Sequence, residues 1–132
     1  GNGGIIYPGL HYGRDALVGV AFFLTHLAEK GMTMSALKVS YPEYHMSKNK
    51  IQLTPEIDVD LVLAEMEAKY ASEDVNTVDG VKINFASEWV HLRKSNTEPI
   101  IRIYAESGSM ASADALAHKI MAEIKEIVAV KS

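Results

Sequence analysis

The sequence predicts an α+β fold: a small, mainly antiparallel sheet flanked by two helices, preceded by a helical remnant of an α/β domain. Three observations carry this reading. Val81, Ile83 and Phe85 alternate with Lys82 and Asn84, the period of a half-buried strand, and two more strand-like runs follow at 89–93 and 100–104. Ala113, Leu116, Ala117, Ile120, Met121, Ile124, Ile127 and Val128 recur at three-and-four spacing, as on a helix packed against a sheet. Near the start, 14–30 reads as a helix that is apolar almost all the way round, through Leu17, Val18, Val20, Phe22, Phe23, Leu24 and Leu27.

Taken in order, the first helix has Asp15 at the positive end of its dipole and Gly31 as its stop. A helix with so little polar surface expects neighbours on several sides, as in an α/β layer. If that cover is missing, the chain is expected to self-associate through it. Thr25 and His26 interrupt the apolar run, which argues against a membrane span. A short helical turn is expected at 33–37, then a polar linker over 41–50. Beyond it come a short strand at 51–53 and a helix over 58–71 with Leu61, Val62, Met66 and Tyr70 on its apolar side. Asp79 and Gly80 mark a turn before the three strands, and Ser112 is a candidate N-cap for the last helix. The order is strand, helix, three strands, helix, with hairpins making the sheet antiparallel. The domain division expected is 1–50 and 51–132.

The 132 residues, 48% of them apolar, support one ordinary core, or a small domain plus part of another. A net charge of −4 with scattered Lys and Arg offers no basic stripe for a nucleic acid. The absence of cysteine removes disulfides and thiol nucleophiles and is compatible with a cytoplasmic protein. No secretory signal is visible, and a start at Gly1-Asn2-Gly3-Gly4 reads as part of something longer.

The run Arg93-Lys94-Ser95-Asn96-Thr97-Glu98-Pro99 lies between two strands and concentrates a guanidinium, an ammonium, two hydroxyls, an amide and free backbone N–H groups. Such a set suits an anion, and phosphate is the natural one, because Arg donates a fork of hydrogen bonds while a turn fixes the shorter donors. The alternative is a solvated hairpin whose Ser, Asn and Thr satisfy their own backbone, and composition alone favours it. Arg102 either leans toward the anion or pairs with an acidic neighbour. His91 reads as structural, since no nucleophile or carboxylate is spaced with it, and Glu98 and Glu106 are assigned structural roles. The histidines lack the spacing of metal ligands.

That run, followed by Arg102 and Glu106, resembles the phosphate-binding loop of the α-D-phosphohexomutases. Asn76-Thr77-Val78-Asp79-Gly80-Val81-Lys82-Ile83 is similar to the strand pair preceding that loop, and Gly1-Asn2-Gly3-Gly4 to the tail of the family's sugar-recognition loop. The resemblance covers essentially the whole chain. It implies a four-domain enzyme that moves a phosphoryl group between the C1 and C6 oxygens of a hexose through a bisphosphorylated intermediate. It places the phosphoserine and the aspartates that hold Mg²⁺ N-terminal to Gly1, leaving no catalytic residue and no metal ligand here. Residues 1–50 would end the third domain and 51–132 form the fourth. Arg93, Ser95, Asn96 and Thr97 would hold the substrate phosphate that is not reacting, and Asn2 is a candidate contact to sugar hydroxyls. The Asn2-Gly3-Gly4 ending and the context Tyr7-Pro8 and Gly13-Arg14-Asp15 resemble the phosphoglucosamine mutases. Two other readings stand beside this one: a non-catalytic module for phosphate or phosphorylated proteins, and a packing domain with an unoccupied surface turn.

Overall fold

The structure, a computed structural model, describes residues 4–54, 56–95 and 97–131. It divides into two compact units, Gly1–Pro42 and Glu43–Ser132.

In the first unit a turn at Tyr7 leads into helix α1 (Ala16–Lys30), and α2 (Met34–Val39) follows. Asp15 caps α1 by accepting from the N–H groups of Leu17 and Val18 at 2.8 and 3.0 Å, and Gly31 ends it in the left-handed region at φ 60°. Tyr7 meets Phe22 edge to face with ring centroids 5.0 Å apart. No residue of α1 is buried, and Leu17 is 82% exposed.

The cap carries a pH dependence. Donation by the Val18 N–H, and then by His11 at 3.0 Å, lowers the Asp15 pKa below its ordinary value. A depressed carboxylate contributes stability above its unfolded pKa and loses it as pH falls through the folded one. Protection of the Leu17 and Val18 amides from exchange, relative to their intrinsic rates at each pH, is therefore expected to persist down to about pH 4 and to fall below it. Protection that does not change through this range would show that the cap does not hold the helix end.

The second unit is a two-layer α+β domain. Its strands are β1 (His45–Gln52), β2 (Asp74–Asn76), β3 (Val81–Asn84), β4 (Trp89–Lys94) and β5 (Ile100–Ser107), every pairing antiparallel, in the order β1-β5-β4-β3-β2. Helices α3 (Val59–Lys69) and α4 (Met110–Lys131) cover one face, α4 on β1 and β5, α3 on β3 and β4. Ile83, Val90, Leu92, Ile101, Ile103 and Ala105 point into this layer and meet Val62, Met66, Ala117 and Ile120, all inaccessible to water. Each large aliphatic chain buried there contributes on the order of 2 kcal/mol. The two helices are clasped to each other: the Tyr70 hydroxyl donates to both oxygens of Glu123 at 3.0 and 3.1 Å, and Lys69 pairs with the same carboxylate at 3.2 Å. Burial, then the neighbouring Glu123, pushes the Tyr70 phenol above its ordinary pKa, so it stays a donor.

Three expectations need correction. The stretch read as a polar linker over 41–50 is mostly strand, since β1 begins at His45. It looked polar on both faces because its inward positions include Ser47 and Asn49. Ser47 is 6% exposed and donates to Asp114 of α4 at 2.5 Å, and Asn49 donates to Ser47 at 2.9 Å. The inward face is thus satisfied by hydrogen bonds rather than by apolar contact. A fourth strand, β2, precedes the three expected ones. Finally, Ser109 rather than Ser112 caps α4: its hydroxyl accepts from the Ser112 N–H at 3.1 Å.

Candidate functional site

With the helices on one side, the other face of the sheet is open, and the loop between β4 and β5 sits at one end of it. The loop is closed by the Ser95 N–H donating to the Ile100 carbonyl at 3.1 Å, and the Ile100 N–H to the Glu98 carbonyl at 2.8 Å. The Leu53 N–H donates to the Pro99 carbonyl at 2.8 Å, which ties the loop to the end of β1. Ser95 is buried, and its hydroxyl accepts a long bond from the Thr97 N–H at 3.5 Å, while Thr97 itself is exposed. Of the other residues expected here, Asn96 and Asn2 lie outside the described residues.

Arg93 and Lys94 enter the loop from opposite faces of β4, as successive strand residues must. Lys94 reaches Asp60, in the first turn of α3, at 2.5 Å. Arg93 is on the open face and donates from Nε to the Asp79 carboxylate at 3.1 Å. A guanidinium held through Nε keeps both terminal NH₂ groups, and four of its five donors, for another acceptor. Both partners are more than half exposed, so the pair itself is worth at most about 1 kcal/mol; its consequence is orientation.

The turn carrying Asp79 is itself fixed. The Asn76 side chain accepts from the Val78 N–H at 3.0 Å, and the Asp79 carbonyl accepts from His91 Nε2 at 2.5 Å, which puts the ring proton on that nitrogen. Gly80 has φ 82°, and a Cβ there would stand 2.2 Å from the Leu92 carbonyl oxygen and 3.3 Å from the Arg93 Cα. The turn therefore lies directly on the backbone of β4 beside Arg93, a closeness only glycine permits. Sequence reading saw this Asp-Gly pair as a turn and missed its bond to Arg93. The only signal for it is the register of β3 with β4, which pairs Val81 with Leu92 and Lys82 with His91.

Arg102 is exposed and directly opposite Arg93, on the same face as Tyr104 as expected. It has no carboxylate within ion-pair distance among the described residues. His91 holds the turn, and Glu106 accepts from the Trp89 indole at 2.9 Å; both are structural contacts. Among the described residues no three His, Asp or Glu side chains converge so as to hold a metal ion, and no helix is long and apolar enough to cross a membrane.

Comparison with known proteins gives a consistent result. A family model described as phosphoglucomutase/phosphomannomutase, C-terminal domain, matches residues 50–123. A phosphoglucosamine/phosphogalactosamine mutase of Sulfurisphaera tokodaii is 36% identical over 129 residues, covering 96% of this chain and 28% of the relative. A phosphoglucomutase/phosphomannomutase of Thermococcus kodakarensis is 36% identical over 110 residues, covering 82% of this chain and 24% of the relative. The chain thus spans about a quarter of the length of these curated relatives. The crystal structure of a phosphoglucomutase/phosphomannomutase family protein from Burkholderia thailandensis has the same fold, with a TM-score of 0.51 and 22% identity over 71% of this chain and 20% of that one.

Proposed function

Because the chain belongs to the phosphoglucomutase/phosphomannomutase family and carries its C-terminal domain, we propose that it is the phosphate-gripping part of a mutase that interconverts hexose 1-phosphate and hexose 6-phosphate. The observation that carries the reading is the Arg93 guanidinium, held side-on by Asp79 at the mouth of the 95–99 loop, its terminal donors without a partner among the described residues. In this reading Arg93, Ser95, Asn96 and Thr97 hold the phosphate that is not reacting, and Arg102, opposite Arg93, adds a second guanidinium. Asn2 is kept as a contact to the sugar.

Such a grip serves the chemistry because phosphoryl transfer relies on positioning and electrostatic stabilisation. A phosphate held far from the reacting oxygen turns binding energy into orientation. A grip that recognises only the phosphate accepts either end of a bisphosphorylated sugar, so the sugar can turn round between two transfers. Residues 51–132 are read as the fourth domain, its first strand reaching back to His45, and the preceding residues as the end of the third. The phosphoserine and Mg²⁺ of the parent belong to other domains. The described residues offer no donor set for the metal, and no step of this chain is routed through it. Glucosamine phosphate is the substrate favoured, which the name of the Sulfurisphaera relative supports. The compartment proposed is the cytoplasm. Self-association of the isolated chain through the exposed side chains of α1 is kept as a proposal, and light scattering at increasing concentration tests it.

The full-length protein is expected to interconvert glucosamine 1-phosphate and glucosamine 6-phosphate, and the 132-residue chain to have no turnover. A full-length protein inactive on every hexose phosphate, or a chain active alone, would overturn the reading.

A further inference from the structure

The open face of the sheet changes character at the end away from the loop. Strand register sets Asn84 opposite Trp89 and Trp89 opposite Glu106, one row across β3, β4 and β5. Trp89 lies four residues before Arg93 on β4, about 13 Å along an extended strand. There Tyr44, Phe85 and Trp89 wall a concavity of about 460 Å³ that Asn84, Glu88 and Glu106 also line. Its uncharged polar groups are engaged: the Asn84 amide donates to Asp74 at 3.0 Å, and the Trp89 indole to one oxygen of Glu106 at 2.9 Å. What is left over is negative. Glu88 and Glu106, both half-buried, have no ion-pair partner among the described residues. Lys82 is turned onto the Trp89 ring instead, its ammonium 4.6 Å from the centroid.

Aromatic walls beside two unpaired carboxylates suit a cation, and a planar guanidinium above all, because it stacks on a ring and forks to a carboxylate. Trp and Tyr are also the side chains that anchor protein interfaces, and Tyr44 is 63% exposed. We propose that this concavity docks an arginine side chain from the part of the parent that lies outside this chain. The chain spans about a quarter of the length of its curated relatives. A grip on one end of a substrate works only when the reacting groups are held opposite it, so the open face has to meet the rest of the parent. That choice of source rests on the mutase reading; the preference for a guanidinium rests on the concavity itself.

Trp89 is the only tryptophan of the chain and reports on the concavity. Titration of the 132-residue chain with N-acetylarginine amide is expected to change its emission saturably, and the neutral N-acetylcitrulline amide at equal ionic strength is not. In the Glu88→Gln/Glu106→Gln variant, which keeps the shape and the acceptor for the indole, the apparent Kd should rise at least about threefold. For the source, amide exchange in the 85–88 hairpin of the full-length parent should be at least about threefold slower than in the chain, and the double variant should abolish the difference. No response to the arginine probe, an equal response to citrulline, or an unchanged Kd in the double variant overturns the site. A chain that responds while its hairpin exchanges alike in chain and parent, or alike in the parent and its double variant, overturns the parent as the source. A protected hairpin in a parent inactive on every hexose phosphate overturns the mutase reading and leaves the docking standing.

Discussion

Gly80→Ala is expected to destabilise the second unit by roughly 3 kcal/mol and to loosen Arg93 at the same time. Two costs add. The residue sits at φ 82°, where an L side chain is strained by about 1 to 2 kcal/mol. The new methyl would also stand 2.2 Å from a main-chain carbonyl, which cannot rotate away as a flexible side chain would. Relief requires the 78–80 turn to lift off β4, and that removes the Asp79 carboxylate from Arg93 and the Asp79 carbonyl from His91. Urea denaturation measures the first effect and the Arg93 side-chain Nε resonance the second. Gly31→Ala is the control: its φ is 60°, but nothing lies within 4 Å of the added carbon, so only the backbone cost of about 1 kcal/mol applies. Equal losses in the two variants would show that the turn is not packed on the strand as described.

Arg93→Ala, in the full-length parent, should lower kcat/KM about tenfold to a hundredfold. A charge-assisted contact to phosphate is worth about 1.5 to 3 kcal/mol, and each 1.4 kcal/mol is a factor of ten. Where the loss falls is informative. If the grip merely holds the sugar phosphate, KM rises with kcat unchanged; if its energy is spent on orienting the reacting end, kcat falls as well. The fold should be nearly unaffected, since Arg93 is more than half exposed and its partner more so. Unchanged kcat and KM would remove Arg93 from the grip.

The fold was legible where apolar residues face inward at the period of their element. The inward residues Val81, Ile83, Val90, Leu92, Ile101 and Ile103 give three strands their alternation, and Val62, Met66, Ala117 and Ile120 give two helices theirs. It was illegible where inward positions are polar, as at Ser47 and Asn49 of β1, which depend on Asp114 sixty-seven residues beyond Ser47. A three-residue strand such as β2, with Val75 alone turned toward the core, has too short a pattern to read. At the site, the local cluster of loop donors was visible in the chain order, and Arg102 could be placed on its strand face by alternation. Asp79 could not be joined to it. It reaches Arg93 only through strand pairing, a property of register rather than of any stretch of sequence.

Whether the 93–97 loop grips the phosphate of a sugar phosphate is tested by titrating the labelled 132-residue chain with glucosamine 6-phosphate and, separately, with glucosamine. Shifts are expected at the amides of Arg93, Ser95 and Thr97 that saturate with the phosphorylated sugar and vanish in Arg93→Ala. Shifts of the same size with glucosamine, or a loop that stays silent while phosphate is raised, would contradict it.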